Sequence, residues 1–252
     1  MCVLAHPDDE SLGTGGALAK YGSEGIGTYV VTATRGERGH FDDTGTSPGP
    51  EIVWRTREAE LRAAANELRV RELAFLDYHD AELDRADVVE ATEKIAGHIR
   101  RIQPDVVVTF DPYGAYGHPD HIAISQLTAA AVLRAADVHR VSKLYYFVNS
   151  SRKWAAYQAA FKTLTSGVDG TVRMAVPWPD WAITTIVDAS ATWQTVWRAV
   201  QCHKTQMSIY KTFASLSEDD QKFIWGTQEF YRVFSLVNGG RKRETDLFEG
   251  LR

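Results

Sequence analysis

The sequence predicts an α/β fold: a mostly parallel sheet with helices on both faces and an active site at the carboxyl edge of the strands. Three observations carry this. Short β-rich runs alternate with longer helical patterns up to about position 150. The runs are nearly continuous in apolar residues, as strands covered on both faces are. Two of them are followed at once by clusters of ionisable side chains, where open α/β sheets bind ligands.

The expected strands are Cys2 to Ala5, Thr28 to Ala33, Glu72 to Leu76, Val106 to Phe110 and Leu144 to Val148. The expected helices are Asp9 to Ser23, Glu51 to Leu68, Val88 to Ile102 and Asp120 to Ala136, with Leu61, Ala64, Ala65 and Leu68 at helical spacing in the second. Gln103-Pro104 stops one helix before a strand, and Gly22 and Gly25 close another. Beyond position 150 the pattern thins to a strand at Ala182 to Val187 and a helix from Ala191 to Cys202 with Ser190 as its N-cap. Met1 stands five residues before His6, leaving room for barely four strand residues, and this raises the expectation of a start upstream.

The 252 residues, 44% hydrophobic, suffice for one substantial core, so one domain over 1–252 is expected, with core 1–150 and a segment 151–252 completing sheet and pocket. A formal charge of -5 argues against nucleic acid as a partner, and the short basic run Arg241 to Arg243 reads as a solvated segment. No apolar stretch approaches the roughly 18 residues of a membrane span. Two cysteines, Cys2 and Cys202, form no disulfide framework and suit a reducing cytoplasm.

The first cluster is His6-Pro7-Asp8-Asp9-Glu10 and the second runs from Asp111 through Gly114-Ala115-Tyr116-Gly117 to His118-Pro119-Asp120-His121. A catalytic zinc takes three His or carboxylate ligands and leaves a position open, and His6, Asp9 and His121 are candidates for it. Capping alone accounts for an Asp or a Pro at a helix start. It does not account for two His-Pro-Asp triplets, each at a strand end.

With both segments intact, Ala5 to Glu10 and His118 to His121, the chain resembles the LmbE-like, or PIG-L, de-N-acetylases over roughly residues 2 to 210. Thr34-Arg35-Gly36-Glu37 and the weaker Cys202-His203-Lys204-Thr205-Gln206 belong to the same likeness. The resemblance implies a Rossmann-like, zinc-dependent hydrolase that removes acetyl from N-acetylglucosamine conjugates, a small sugar-bearing substrate, and frequent self-assembly into homo-oligomers. Ferrous iron suits a His-His-Asp site as well.

The resemblance makes His6, Asp9 and His121 the metal ligands and Asp8 the base for a metal-activated water. It makes His118, held by Asp120, an imidazolium facing the oxyanion, with general acid for the leaving nitrogen as its alternative role. Tyr116 would donate its hydroxyl to the substrate carbonyl, Arg35 would hold substrate oxygens, and Asp80, with Asp77 as rival, would read sugar hydroxyls. Glu10 and Glu37 would fix backbone or ligand orientation. His203 is left between the metal site and a helix-end role, while His40, His79, His98 and His139 read as bystanders. Trp193, Trp197 and Trp225 read as core or subunit contacts, as do Trp178 and Trp181 unless they line a sugar pocket. The pocket rim is expected from His40 to Pro50 and from Tyr145 to Val176.

Two other classes compete. Gly13-Thr14-Gly15-Gly16 hints at a nucleotide-binding oxidoreductase, but the glycines do not form GxGxxG and the acidic turn before them repels pyrophosphate. A non-catalytic metal-binding relative, or an amidase of a larger thiol or sugar conjugate, is the remaining alternative.

Overall fold

The computed structural model describes residues 1–41, 46–161, 165–168, 170–240 and 242–252. Nine strands are described: β1 (Cys2–Leu4), β2 (Tyr29–Thr34), β3 (Glu72–Tyr78), β4 (Val106–Phe110), β5 (Lys143–Val148), β6 (Thr165–Val168), β7 (Thr171–Met174), β8 (Thr185–Asp188) and β9 (Thr227–Ser235). Seven form one sheet in the order β3-β2-β1-β4-β5-β9-β8, and β6 and β7 form a separate hairpin. β1 to β5 pair in parallel, in registers such as Leu4 with Thr32 and Phe110 with Phe147. β9 and β8 then close the sheet antiparallel to their neighbours.

This order fixes where a ligand goes. From β1 to β3 the chain moves outward one way, and through β4 and β5 it moves the other way. Right-handed crossovers then place the two sets of helices on opposite faces and leave a switch point between β1 and β4. Helix Val88–Ile102 packs against Pro119–Arg134, while Gly15–Ser23 and Pro50–Glu67 pack against Trp193–Cys202. Val3, Leu4, Val107 and Val31 lie fully buried between the layers, each strand covered on both faces.

The five expected strands and four expected helices are present. Their limits shift by a residue or two, except that the first helix breaks into Asp9–Leu12 and Gly15–Ser23. At the break a Cβ on Gly13 would stand 2.9 Å from the Phe147 ring, so the chain passes close against that ring. The helix expected from Ala191 begins at Trp193 after a 3-10 turn, with Thr192 rather than Ser190 at its N-cap. Ser190 instead donates its backbone N–H to Asp188 Oδ1 at 2.8 Å. Helices Ser151–Phe161 and Glu218–Gly226, the hairpin and β9 carried no sequence expectation. Arg241 and rim residues 42–45, 162–164 and 169 lie outside the described residues. Among the described residues, no helix is long and apolar enough to cross a membrane.

Candidate active site

A cavity of about 450 Å³ opens at the carboxyl ends of β1 and β4, within the size range of small-molecule sites. His6, Asp8 and Asp9 enter it from the turn after β1, and Tyr116, His118 and His121 from the segment after β4. The sheet thus brings together two clusters more than a hundred residues apart in sequence.

Three donor atoms converge. His6 Nδ1 lies 3.0 Å from His121 Nε2, and the Asp9 carboxylate lies 3.8 Å from the first and 3.5 Å from the second. The opposite ring nitrogens settle the tautomers. His6 Nε2 meets the carboxylates of Asp80 and Asp120, each at 3.1 Å, and must carry a proton towards them. His121 Nδ1 donates to the Gly114 carbonyl at 3.2 Å. The two inward nitrogens therefore meet over a single proton beside a carboxylate, and the same donor set suits a metal cation in its place. Gly114, at φ +60, is required for the bond to His121, because a Cβ there would meet the His121 Cβ at 2.7 Å. Phe110 stacks on the His121 ring at 3.9 Å between centroids.

Charge states follow the same geometry. Burial opposes the His6 imidazolium, yet the bonds to Asp120 and Asp80 hold its pKa well above the ordinary value. Burial, with His6 and His118 nearby, holds His121 well below. Burial pushes the Asp9 carboxyl up to about 7 against the pull of His6, with Asp8 and Glu10 adding to the rise. The Asp9 carboxyl, raised by burial and by its acidic neighbours, is the group that a bound cation would relieve.

Asp8 has φ 110 and ψ -26, a left-handed conformation that costs a non-glycine residue about 1 to 3 kcal/mol and persists only where the surroundings impose it. Its Oδ2 accepts from Arg57 Nη2 at 2.9 Å and from the Tyr210 hydroxyl at 2.7 Å. Its backbone N–H donates to Glu10 Oε2 at 2.9 Å. Glu10 is fully buried, and its Oε1 lies 2.8 Å from Nε2 of the equally buried His203. His203 therefore bonds Glu10 rather than joining the three converging donors. Glu37 Oε1 accepts from the Asp80 backbone N–H at 3.0 Å, fixing the loop that carries Asp80.

Several placements differ from the sequence expectation. The Asp120 carboxylate does not hold His118; it accepts from Ala81 N at 2.7 Å, from Leu83 N at 3.1 Å and from His6. His118 instead caps the helix Pro119–Arg134, its Nδ1 accepting the Asp120 backbone N–H at 3.2 Å. That bond puts the ring proton on Nε2 and leaves His118 a neutral donor. Burial first, then His6, lowers its pKa. Arg35 lies outside the cavity lining, paired with Glu58 at 2.7 Å and with Asp77, its guanidinium over the Phe75 ring. Arg38, Gly39 and His40 of that loop line the cavity instead. Asp80 lines it too and is buried; burial opposes its charge, but His6, Arg57 and the Arg38 N–H together hold its carboxyl well below the usual range.

Tyr116 lines the cavity with its ring 5.3 Å from that of His121, and burial raises its hydroxyl pKa. His40, expected to be a bystander, also lines it, whereas Tyr145, expected on the rim, is buried at the opposite end of β5. Trp181 is 85% exposed; Trp178 bonds Asp111 through its indole N–H beside a smaller adjoining pocket. Leu12, Phe147, Trp154 and Tyr157 make an apolar wall.

Arg57 and Tyr210 were missed, and Gln206 was carried only as the end of the weaker likeness Cys202 to Gln206. Arg57 had a signal: it sits four residues before Leu61 on the buried stripe of its helix, where a charge needs a reason.

The chain is similar to known proteins over most of its length. The family model described as PIG-L, GlcNAc-PI de-N-acetylase, matches residues 1–132. The 1D-myo-inositol 2-acetamido-2-deoxy-alpha-D-glucopyranoside deacetylase of Nocardiopsis dassonvillei is 34% identical over 286 residues, covering 100% of both chains. Among solved structures, the N,N'-diacetylchitobiose deacetylase of Pyrococcus horikoshii is similar at a TM-score of 0.68 and 20% identity, covering 92% of this chain and 82% of that one. The 4-carboxy-2-hydroxymuconate hydratase GalB of Pseudomonas putida KT2440 has the same TM-score at 21% identity, covering 95% and 98%, so the fold alone does not name a reaction. With half its length matched by the family model and a relative above 30% identity along its whole length, the chain belongs to the PIG-L, GlcNAc-PI de-N-acetylase, family.

Proposed function

We propose that this chain hydrolyses the acetamide of an N-acetylglucosamine conjugate, an N-acetylglucosaminide of inositol being the first candidate, to give acetate and the free amine. The observation that carries it is the pair of inward imidazole nitrogens, His6 Nδ1 and His121 Nε2, 3.0 Å apart beside Asp9, with a second carboxylate, Asp8, in the same cavity. His6, Asp9 and His121 would hold a divalent cation, zinc before ferrous iron. When bound there, the cation supplies Lewis acidity for the amide carbonyl and for water.

The chain's own groups supply the proton transfers. With Asp8 Oδ2 engaged by Arg57 and Tyr210, Oδ1 takes the proton of the attacking water and returns it to the nitrogen as the C–N bond breaks. His118, a donor through Nε2, faces the charge that builds on the carbonyl oxygen, and the Tyr116 hydroxyl stands as a second donor. Asp80 and Arg38 offer an acceptor and a donor for sugar hydroxyls, and the apolar wall takes the less polar side of the conjugate.

The test is metal analysis of the purified protein beside an assay of amine release from N-acetylglucosamine and its conjugates, N-acetylglucosaminyl-inositol included. About one zinc or iron per chain with amine released supports the proposal. Metal without amine moves the substrate to a larger amide, and a protein that neither holds nor regains metal overturns it.

A further inference from the structure

We propose that His203 and Tyr210, contributed by the C-terminal third of the chain, are positioning residues for Asp8; this rests on the reading of Asp8 as the base. The family match ends at residue 132, so it includes Asp8 and Glu10 but neither of these two.

A base at φ 110 does not hold itself there. Asp8 opens the four-residue helix Asp9–Leu12 without a side-chain cap of its own, and the left-handed region is unfavourable for it. The surroundings must supply what the local sequence does not. They do so at two points, the backbone N–H and the carboxylate.

The backbone point is Glu10. Its Oε2 accepts the Asp8 N–H, and its Oε1 accepts from the Ser11 hydroxyl at 2.5 Å and from His203 Nε2 at 2.8 Å. Neither Glu10 nor His203 has any exposed surface. A carboxylate at that depth keeps one orientation only while its donors remain, so His203 fixes the oxygen that fixes the Asp8 backbone. The other ring nitrogen, His203 Nδ1, is buried with no hydrogen-bond partner among the described residues. A histidine kept only to tie elements together has both nitrogens to use; this one spends its single bond on Glu10.

The carboxylate point is Tyr210, seven residues further on, whose hydroxyl donates to Asp8 Oδ2. Between the two, Thr205 binds both oxygens of Glu60 at 2.8 and 2.7 Å, and Gln206 donates to the His40 carbonyl at 2.6 Å. Those three bonds lock the segment 203–210 to the helix Pro50–Glu67, which carries Arg57, and to the cavity rim. The segment therefore arrives as a rigid piece with two fingers on one aspartate.

The test compares wild type with Tyr210→Phe, His203→Ala and His203→Gln by steady-state kinetics per folded molecule, metal content and crystal structure. Tyr210→Phe and His203→Ala are expected to lower kcat by about 10- to 100-fold, the scale of a misplaced catalytic group, with KM within about twofold and metal unchanged. His203→Gln, whose amide N–H can replace the Nε2 donor, restores most of the loss, which a filled cavity without that donor does not. In the His203→Ala crystal, the Asp8 backbone leaves its positive φ or its carboxylate turns. The proposal is overturned by unchanged kcat in both deletions, by losses that follow only the folded fraction, or by an Asp8 that stays in place. Should the wild type release no amine from any conjugate, the functional reading fails, and the Asp8 geometry in the variant crystals still decides the positioning.

Discussion

The sheet buries charge at both of its edges, and the two clusters differ in a way that separates binding from stability. At the amino edge, Lys143 Nζ meets Glu244 Oε1 at 2.7 Å, and Tyr145, Thr185, Arg232 and Asn238 complete the ring around that carboxylate. Every donor there finds an acceptor, and Lys143 also reaches the Glu249 carbonyl at 2.6 Å. At the carboxyl edge, His6 and His121 turn ring nitrogens on each other and Asp8 sits in a strained backbone. One cluster is saturated by the protein. The other leaves an Asp9 carboxyl that burial raises despite His6, a deficit of cationic partners, and it lines a cavity. Incomplete pairing at depth, rather than the number of charged residues, marks the site.

The largest expected effect strikes that deficit. His121→Ala removes a donor, and most bound metal is lost with it, with turnover falling on the order of a thousandfold or more, as the loss of several kcal/mol of charge stabilisation implies. Metal retained at wild-type stoichiometry would break the contrast between the edges. Asp8→Ala comes next: elemental analysis finds metal unchanged while kcat falls about 10²- to 10⁴-fold, because the converging donors are left intact and the base is not. Retained turnover in the metal-replete variant removes Asp8 from the base role. Asp120→Asn is smaller. It weakens the bond that aims His6 Nδ1 at the cavity, and competition titration should read a metal affinity lower by roughly 10- to 100-fold with the protein folded.

The carboxyl edge was legible in sequence because its residues are packed into two short runs after strands, where each position carries chemistry. His6, Asp8, Asp9, Tyr116, His118 and His121 line one cavity, as their clustering suggested. What sequence spacing does not carry is the direction of a hydrogen bond. Asp120 and His118 are two residues apart, yet the carboxylate turns to His6 and only the backbone N–H serves His118. Arg35 follows Thr34, whose hydroxyl binds the Ala5 carbonyl beneath the site, and the next side chain along a strand faces the other way. Tyr210 and His203 reach the site from a region of short 3-10 turns, where no periodicity announces a face. The antiparallel closure by β9 depends on pairing with β5, a long-range contact that leaves no local mark.

The amino edge was not anticipated at all, and the smallest effect belongs to it. Glu244 is 1% exposed. Burial opposes its charge, but Lys143, Asn238, Thr185 and Tyr145 hold its carboxyl down to about 2. A depressed carboxyl contributes stability that is fully present above its unfolded pKa, about 4.3, and is lost as pH falls towards its folded value. Glu244→Gln at neutral pH should therefore cost on the order of 3 kcal/mol, the scale for removing one partner of a buried pair, while kcat per folded molecule and metal content stay at wild-type levels. The gap in melting temperature between wild type and variant should narrow as pH is lowered from about 4.3 to about 2, because the wild type then loses the charge that the variant already lacks. A gap independent of pH would mean that the variant loses packing rather than charge. A fall in turnover would mean that the two edges are coupled through β5, which begins at Lys143 in one cluster and ends beside Phe147 on the cavity wall of the other.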